Sequence, residues 1–192
     1  MEMDTRSGEG HHAYMRSEER IRFMRNVVED IKGYIDGSKV VDLGSGDGSI
    51  TKLLSRYAKE VYAVDSSESM LAEMAENCSS IPNIVPLLSP QDRLMIDDES
   101  IDVVFSSSSF HDLPKGYESE IARVLRPNGH AVIFDWKKAD SKSPPGPPQS
   151  IRLNKNAVVK RFGLAGLSKI TEKDYAHQYL LIFEKTEYPH KL

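Results

Sequence analysis

At 192 residues, the chain has the length of one domain with at most a short appendage. With 39% hydrophobic and 28% charged residues it has the balance of a soluble globular protein, which excludes a disordered or collagen-like chain. A formal net charge of −4 gives no global case for binding nucleic acid or an anionic membrane.

One cysteine, Cys78, excludes an internal disulfide framework, and a cytoplasmic address is the expectation. The polar, acidic start has no apolar core of a signal peptide, and no apolar run approaches the ~20 residues that cross a bilayer. Residues 1–15 are expected to be a flexible segment, and 16–192 a single folded domain.

Along the chain, Ile21, Met24, Val27, Val28, Ile31 and Ile35 recur at helical spacing. Ser17 is placed to cap that helix, with Arg20 rather than Glu at the capping-box position. "KVVDLG" (39–44) reads as a β-branched strand, followed by a helix over 49–58. "EVYAVD" (60–65) is a second strand and 67–78 a second helix after the turn. Strands are then expected at 83–88, 100–107 and 129–136, with a helix over 117–126. "SPPGPP" (143–148) suits a stiff extended loop. A helix over 154–163 precedes a closing hairpin formed by 167–175 and 177–187. Strands alternating with helices at this spacing predict an α/β, doubly wound parallel sheet with helices on both faces.

The informative segment is "VVDLGSGDGS". Gly44, Gly46 and Gly48 lie between a buried strand and a helix, where glycine lets the backbone turn sharply and approach a ligand. The next strand ends in Asp65, the position from which an acid takes both ribose hydroxyls of an adenosine in doubly wound folds. A dinucleotide fingerprint wants its third glycine at position 49, which is Ser49. The spacing G-x-G-x-G, preceded by Asp42, favours S-adenosyl-L-methionine (SAM) over NAD.

These segments resemble motif I and the acidic loop of class I SAM-dependent methyltransferases. The resemblance continues in order through "SIDVVFSSSSFHDLP", "EIARVLRPNGHAVIFDW" and the final hairpin, over residues 15–186. Within that superfamily the chain is similar to small stand-alone type 11 bacterial and archaeal members. Those share Ser109-Phe110-His111-Asp112, Asp135-Trp136-Lys137-Lys138 and Gly146-Pro147-Pro148. The resemblance implies a Rossmann-like three-layer sandwich with seven mostly parallel strands, the last antiparallel, and SAM as cofactor. It also implies that Gly44, Ser45 and Gly46 touch the methionyl part through their backbone, with Asp42 near its ammonium. Asp65 would bind the ribose, while Ser66 and Met70 would line the adenine side. Ser106 falls where the fourth strand passes the cofactor in that family. Relatives carry Gly-Asp after the third strand; here Ser89-Pro90-Gln91-Asp92 leaves Gln91 and Asp92 as alternatives for the adenine amino group.

His111 leaves the fourth strand on the side that faces the transferred methyl group. Two readings stand: a catalytic base for the acceptor, or a residue that caps the next helix or packs against the cofactor. No metal is expected, because no second His, Cys or carboxylate sits at ligand spacing. Trp136 reads either as packing or as a platform for the acceptor. Tyr14, His11 and His12 are placed to form a lid in relatives, or else belong to a loose terminus. From Lys137 to Thr171 eight Lys or Arg stand against one acid, Asp140. That stretch is either a solvated basic face or an attraction for an anionic partner. The expected activity is methyl transfer from SAM to a small-molecule acceptor. Methylation of RNA or protein, and SAM binding without turnover, are the alternatives.

Overall fold

The computed structural model describes residues 17–90, 92–138 and 146–186. Residues 1–16, with Tyr14, His11 and His12, lie outside the described residues, as do Gln91 and 139–145 of the proline-rich loop.

Helix α1 (Glu18–Ile35) begins at Ser17, whose hydroxyl accepts the Arg20 N–H at 3.2 Å. Its apolar stripe, Met24, Val27, Val28, Ile31 and Ile35, is fully buried. Then follow β1 (Lys39–Leu43), the short α2 (Thr51–Leu54), β2 (Glu60–Asp65), α3 (Glu68–Cys78), β3 (Ile84–Leu88) and β4 (Ile101–Ser107). A 3₁₀ turn at Phe110–Asp112 leads to α4 (Tyr117–Val124), β5 (Leu125–Trp136), α5 (Lys155–Leu164), β6 (Leu167–Asp174) and β7 (Gln178–Lys185).

The seven strands form one sheet in the order β3-β2-β1-β4-β5-β7-β6. β7 runs antiparallel to both neighbours, and the other pairings are parallel. The central strands carry almost no polar alternation, as a sheet covered on both faces requires. Val40, Val103, Phe105, Val132 and Phe134 face α1 and α2. Val41, Val104, Ala131, Ile133 and Leu181 face the opposite way, towards Ile121 of α4 and Phe162 of α5. The architecture is the expected α/β three-layer sandwich.

Two elements differ from the sequence expectation. The helix expected over 49–58 spans only Thr51–Leu54. The Leu54 carbonyl accepts both the Tyr57 and Ala58 N–H groups, and the Tyr57 carbonyl turns out to Gly37, so the chain is already curling into β2. The helix expected over 117–126 stops at Val124, and β5 starts at Leu125 rather than at 129. Arg126 precedes Pro127 and is disfavoured in the helical region. Leu125 pairs with Ile101 and His130 with Val103, so β5 bulges between them with Asn128 at φ 62°.

Gly48 closes the turn between β1 and α2 at φ 80°, and a Cβ there would lie 2.6 Å from Met74 Cγ and 2.8 Å from Cys78 Sγ of α3. Gly48→Ala therefore combines a left-handed backbone with a buried overlap. We expect it to lower unfolding stability by about 1–3 kcal/mol in urea denaturation. An unchanged midpoint would show that α3 yields freely at this contact.

Candidate active site

In a doubly wound sheet, strand ends rather than strand faces are free to meet a ligand, because both faces are covered. Here the carboxyl ends of β1, β2 and β4 surround a cavity of about 260 Å³. β1 contributes Leu43 and Gly44, and β2 contributes Val64, Asp65 and then Ser66. Ser89 and Pro90 close one side; Ser109, Asp112, Leu113 and Tyr117 close the other.

The turn after β1 is held against β2, since the Gly44 and Ser45 N–H groups both donate to the Val64 carbonyl at 2.9 and 3.0 Å. Gly44 adopts φ 77°, and a Cβ there would meet Ser109 Oγ at 2.5 Å. The Ser109 hydroxyl occupies that space instead, donating to the Leu43 carbonyl at 2.8 Å and lying 2.9 Å from Ser106 Oγ. Asp65 Oδ2 accepts the Gly46 N–H at 2.9 Å and Oδ1 the Ser67 N–H at 3.0 Å. These bonds fix the carboxylate and leave lone pairs for two further donors.

Asp42 does not line the cavity; it is buried beneath the glycine turn and accepts the Thr51 hydroxyl at 2.6 Å. Burial raises its pKa to about 7, Thr51 opposing the rise and the charge of Asp65 adding to it. Ser45 is buried beside it, and its hydroxyl has no partner among the described residues.

His111 sits on the 3₁₀ turn, between Ser109 and Asp112 of the cavity wall. Its Nδ1 lies 2.8 Å from Asp135 Oδ1, and its backbone N–H donates to Asp135 Oδ2 at 3.0 Å. Both side chains are buried, at 3% and 1% exposure. Nε2 lies 3.5 Å from the exposed carboxylate of Asp112, and in the tautomer that donates Nδ1–H to Asp135 it carries the ring's lone pair. Burial opposes a charged ring, but the hydrogen bond and charge of Asp135, with Asp112 adding, overcome it and raise the His111 pKa.

Of the predicted residues, Gly44, Asp65 and Ser66 line the cavity, Ser45 and Gly46 belong to its turn, and His111 lies behind the lining residues Ser109 and Asp112 without lining it itself. Asp42, Met70 and Ser106 do not line it, and Gln91 is outside the described residues. Trp136 is 1% exposed, covered by Gly146 and by the Arg152 guanidinium 5.4 Å from its ring, so it is a packing residue. Sequence reasoning missed the roles of Ser109 and Asp135, although both fall inside the quoted motifs. It also missed Arg20, whose buried guanidinium donates to Ser107 and Ser108 at 3.0 Å and stacks over Phe134. Only the parity of β5, which puts Asp135 on the face of Ile133, pointed towards the histidine.

Fold and site define a doubly wound α/β domain with a ligand cavity at the carboxyl ends of its parallel strands. Residues 41–133 match the family model described as a methyltransferase domain. An uncharacterised methyltransferase of Mycobacterium tuberculosis is 33% identical over 105 residues, 54% of this chain and 42% of the relative. The demethylmenaquinone methyltransferase of Tropheryma whipplei is 29% identical over 151 residues, 77% of this chain and 59% of the relative. The chain thus spans less than two thirds of either relative's length. The fold is that of a crystal structure of a SAM-dependent methyltransferase from Aquifex aeolicus, with a TM-score of 0.83 and 23% identity over 94% of this chain and 100% of that one. The similarity to a methyltransferase domain thus covers residues 41–133, and the likeness to the solved structure is one of fold.

Two titrations follow from this geometry. An unfolded Asp titrates near 3.9, so between about pH 4 and 7 folded Asp42 keeps a proton that the unfolded chain has lost, and stability falls as pH rises. Compared with Asp42→Asn, the wild type should lose urea stability from about pH 4 to about pH 7.5. Parallel curves would show an Asp42 that is ionised throughout. The His111 ring proton should titrate by NMR above the ordinary 6.5 in wild type and lower in Asp135→Asn. Equal midpoints would remove the electrostatic coupling of the pair.

Proposed function

We propose that the protein transfers the methyl group of SAM to a small-molecule acceptor, with His111 taking the acceptor's proton. The observation that carries this reading is the pairing of His111 with the buried Asp135, on the turn whose Ser109 and Asp112 line the cavity at the strand ends.

The residues present fit the cofactor. Asp65 offers two spare acceptor positions to the ribose hydroxyls from a carboxylate already fixed by Gly46 and Ser67. Gly44, Ser45 and Gly46 present backbone, and the buried Ser45 hydroxyl is open to a partner. Asp42 lies beneath that turn, where a neighbouring ammonium would favour its ionised form. Ser66, and on the far side Ser89 and Pro90, border the remaining space, towards which Met70 and Gln91 are assigned by resemblance.

SAM supplies a methyl group already activated by a sulfonium charge, so the chain mainly has to position the acceptor and exclude water. Such positioning is worth several kcal/mol, up to about 7–11 in good cases. A base adds about 10²–10⁴-fold when the acceptor is a protonated hydroxyl, amine or acidic carbon. Asp135 fixes the His111 tautomer with Nε2 free to receive that proton, and its charge stabilises the imidazolium that results.

A small acceptor is supported by the quinone-pathway names of relatives such as the Tropheryma whipplei enzyme. Among the described residues of the basic stretch most cations are paired or buried, with Lys138 and Lys160 the exposed exceptions, which disfavours an RNA track. Lys137, Lys155, Arg161 and Lys169 pair with Asp174, Glu172 or Glu118, and Arg152 is buried.

Calorimetry with SAM should show roughly a 100-fold weaker affinity for Asp65→Ala, the loss of two charge-assisted hydrogen bonds. An unchanged affinity would sink the cofactor site. Incubated with methyl-labelled SAM and cell extract, the protein should label the low-molecular-mass fraction, and His111→Gln should cut that label about 10²-fold or more while still binding SAM. Label confined to RNA or protein would overturn the small-molecule reading.

A further inference from the structure

A second cavity of about 260 Å³ opens where the ends of β5 and β6, β7 and the amino end of α5 meet. Lys137 and Lys138 enter it from the end of β5, Asn154 and Lys155 from the first turn of α5, and Tyr179 from β7. Its lining carries three lysines against one carboxylate, Asp174.

The polar groups around it are only partly spent. Each lysine ammonium has three N–H donors. Lys137 gives its donors to the Tyr175 carbonyl and to Asp174, and Lys155 gives its own to Glu172 and Asp174. Lys138 has no ion pair among the described residues. The ten-residue helix α5 points its positive end at the same place. Tyr179 supplies an independent observation: it is completely buried, and its hydroxyl has no hydrogen-bond partner among the described residues. Burial, and then the charge of Asp135, push its pKa upward, so it remains a donor at neutral pH. A buried hydroxyl left unpaired is destabilising unless a ligand completes it.

We propose that this cavity is an oxyanion subsite that holds a carboxylate or phosphate group of the methyl acceptor, with Tyr179 and Lys138 as its principal donors. The link to the reacting end is structural. Tyr179 is paired with Asp135 in the β5–β7 register, and Asp135 holds His111. Subsite and proposed base therefore lie on two sides of one buried carboxylate. The word acceptor rests on the methyl-transfer reading, whereas binding of the anion does not.

The full chain, ¹⁵N-labelled, is titrated with inorganic phosphate and separately with acetate at constant ionic strength, and followed by NMR. Saturable shifts are expected at Lys138, Lys155 and Tyr179, together with a response of the His111 ring. Tyr179→Phe and Lys138→Gln should each weaken binding about tenfold, the loss of one charge-assisted hydrogen bond. Tighter binding of one anion identifies phosphate or carboxylate as the preferred group. Shifts that never saturate, or that are indifferent to Tyr179→Phe, would overturn the subsite. Saturable binding that leaves His111 unmoved would overturn its connection to the acceptor. S-adenosylhomocysteine is titrated in parallel: if it fails to bind while phosphate binds, the methyl-transfer reading falls and the anion site stands.

Discussion

The arrangement of this domain hangs on one buried carboxylate. Asp135 is 1% exposed at the end of β5 and accepts three hydrogen bonds, from His111 N–H, from its ring and from Trp136 N–H. A carboxylate taken out of water must be paired and bonded in this way, or it would protonate or unfold its surroundings. The requirement works in both directions. By satisfying Asp135 twice, His111 pins the 3₁₀ turn to the sheet, and with it Ser109 and Asp112 of the cavity wall. An interaction that looks like side-chain chemistry is thus also what shapes the cavity.

The rest of the cavity follows from how the sheet is covered. Helices on both faces confine polar side chains to strand ends, so the acids Asp65 and Asp135 and the serines of β4 converge there. The glycine turn extends the same logic to the backbone. Gly44 must lack a Cβ because Ser109 already fills that volume, and Ser109 in turn ties β4 to the Leu43 carbonyl. Removing the side chain at position 44 is therefore as much about strand-to-strand closure as about a ligand.

Much of the fold was legible because β-branched runs bounded by glycine and proline separate cleanly from helical stripes. Ser17, Ser67 and Asn154 mark helix starts that the structure places one residue later. The misplaced boundaries have a tertiary cause. β5 begins early because Leu125 finds Ile101 across the sheet, which no local pattern announces. The site was legible where its parts are close in sequence, as in the turn 44–48. It was illegible where pairing joins distant segments. Asp135 and His111 are 24 positions apart and meet only through the β4–β5 ladder, and Arg20 reaches Ser107 across 87 positions. A lone histidine in "SSSSFHDLP" carries no sign of its partner, which is why its role stayed divided between base and wall.

Charge is distributed across the carboxyl edge of the sheet in a way that the overall value of −4 conceals. The cavity assigned to the cofactor is bordered by Asp65 and Asp112, with Asp42 beneath it. The cavity on the far side of Asp135 is bordered by Lys137, Lys138 and Lys155. In the proposed reaction the methyl donor is a cation and the acceptor loses a proton, so positive charge leaves the first cavity as the methyl group moves. Acidic groups around the donor favour its binding, yet alone they would hold the charge in place and oppose transfer. A second field of opposite sign, at the far end of the sheet edge, would draw an anionic acceptor in the proposed reaction. In that proposal the two cavities make opposite electrostatic demands, and the histidine bound to Asp135 is the group that would take the acceptor's proton.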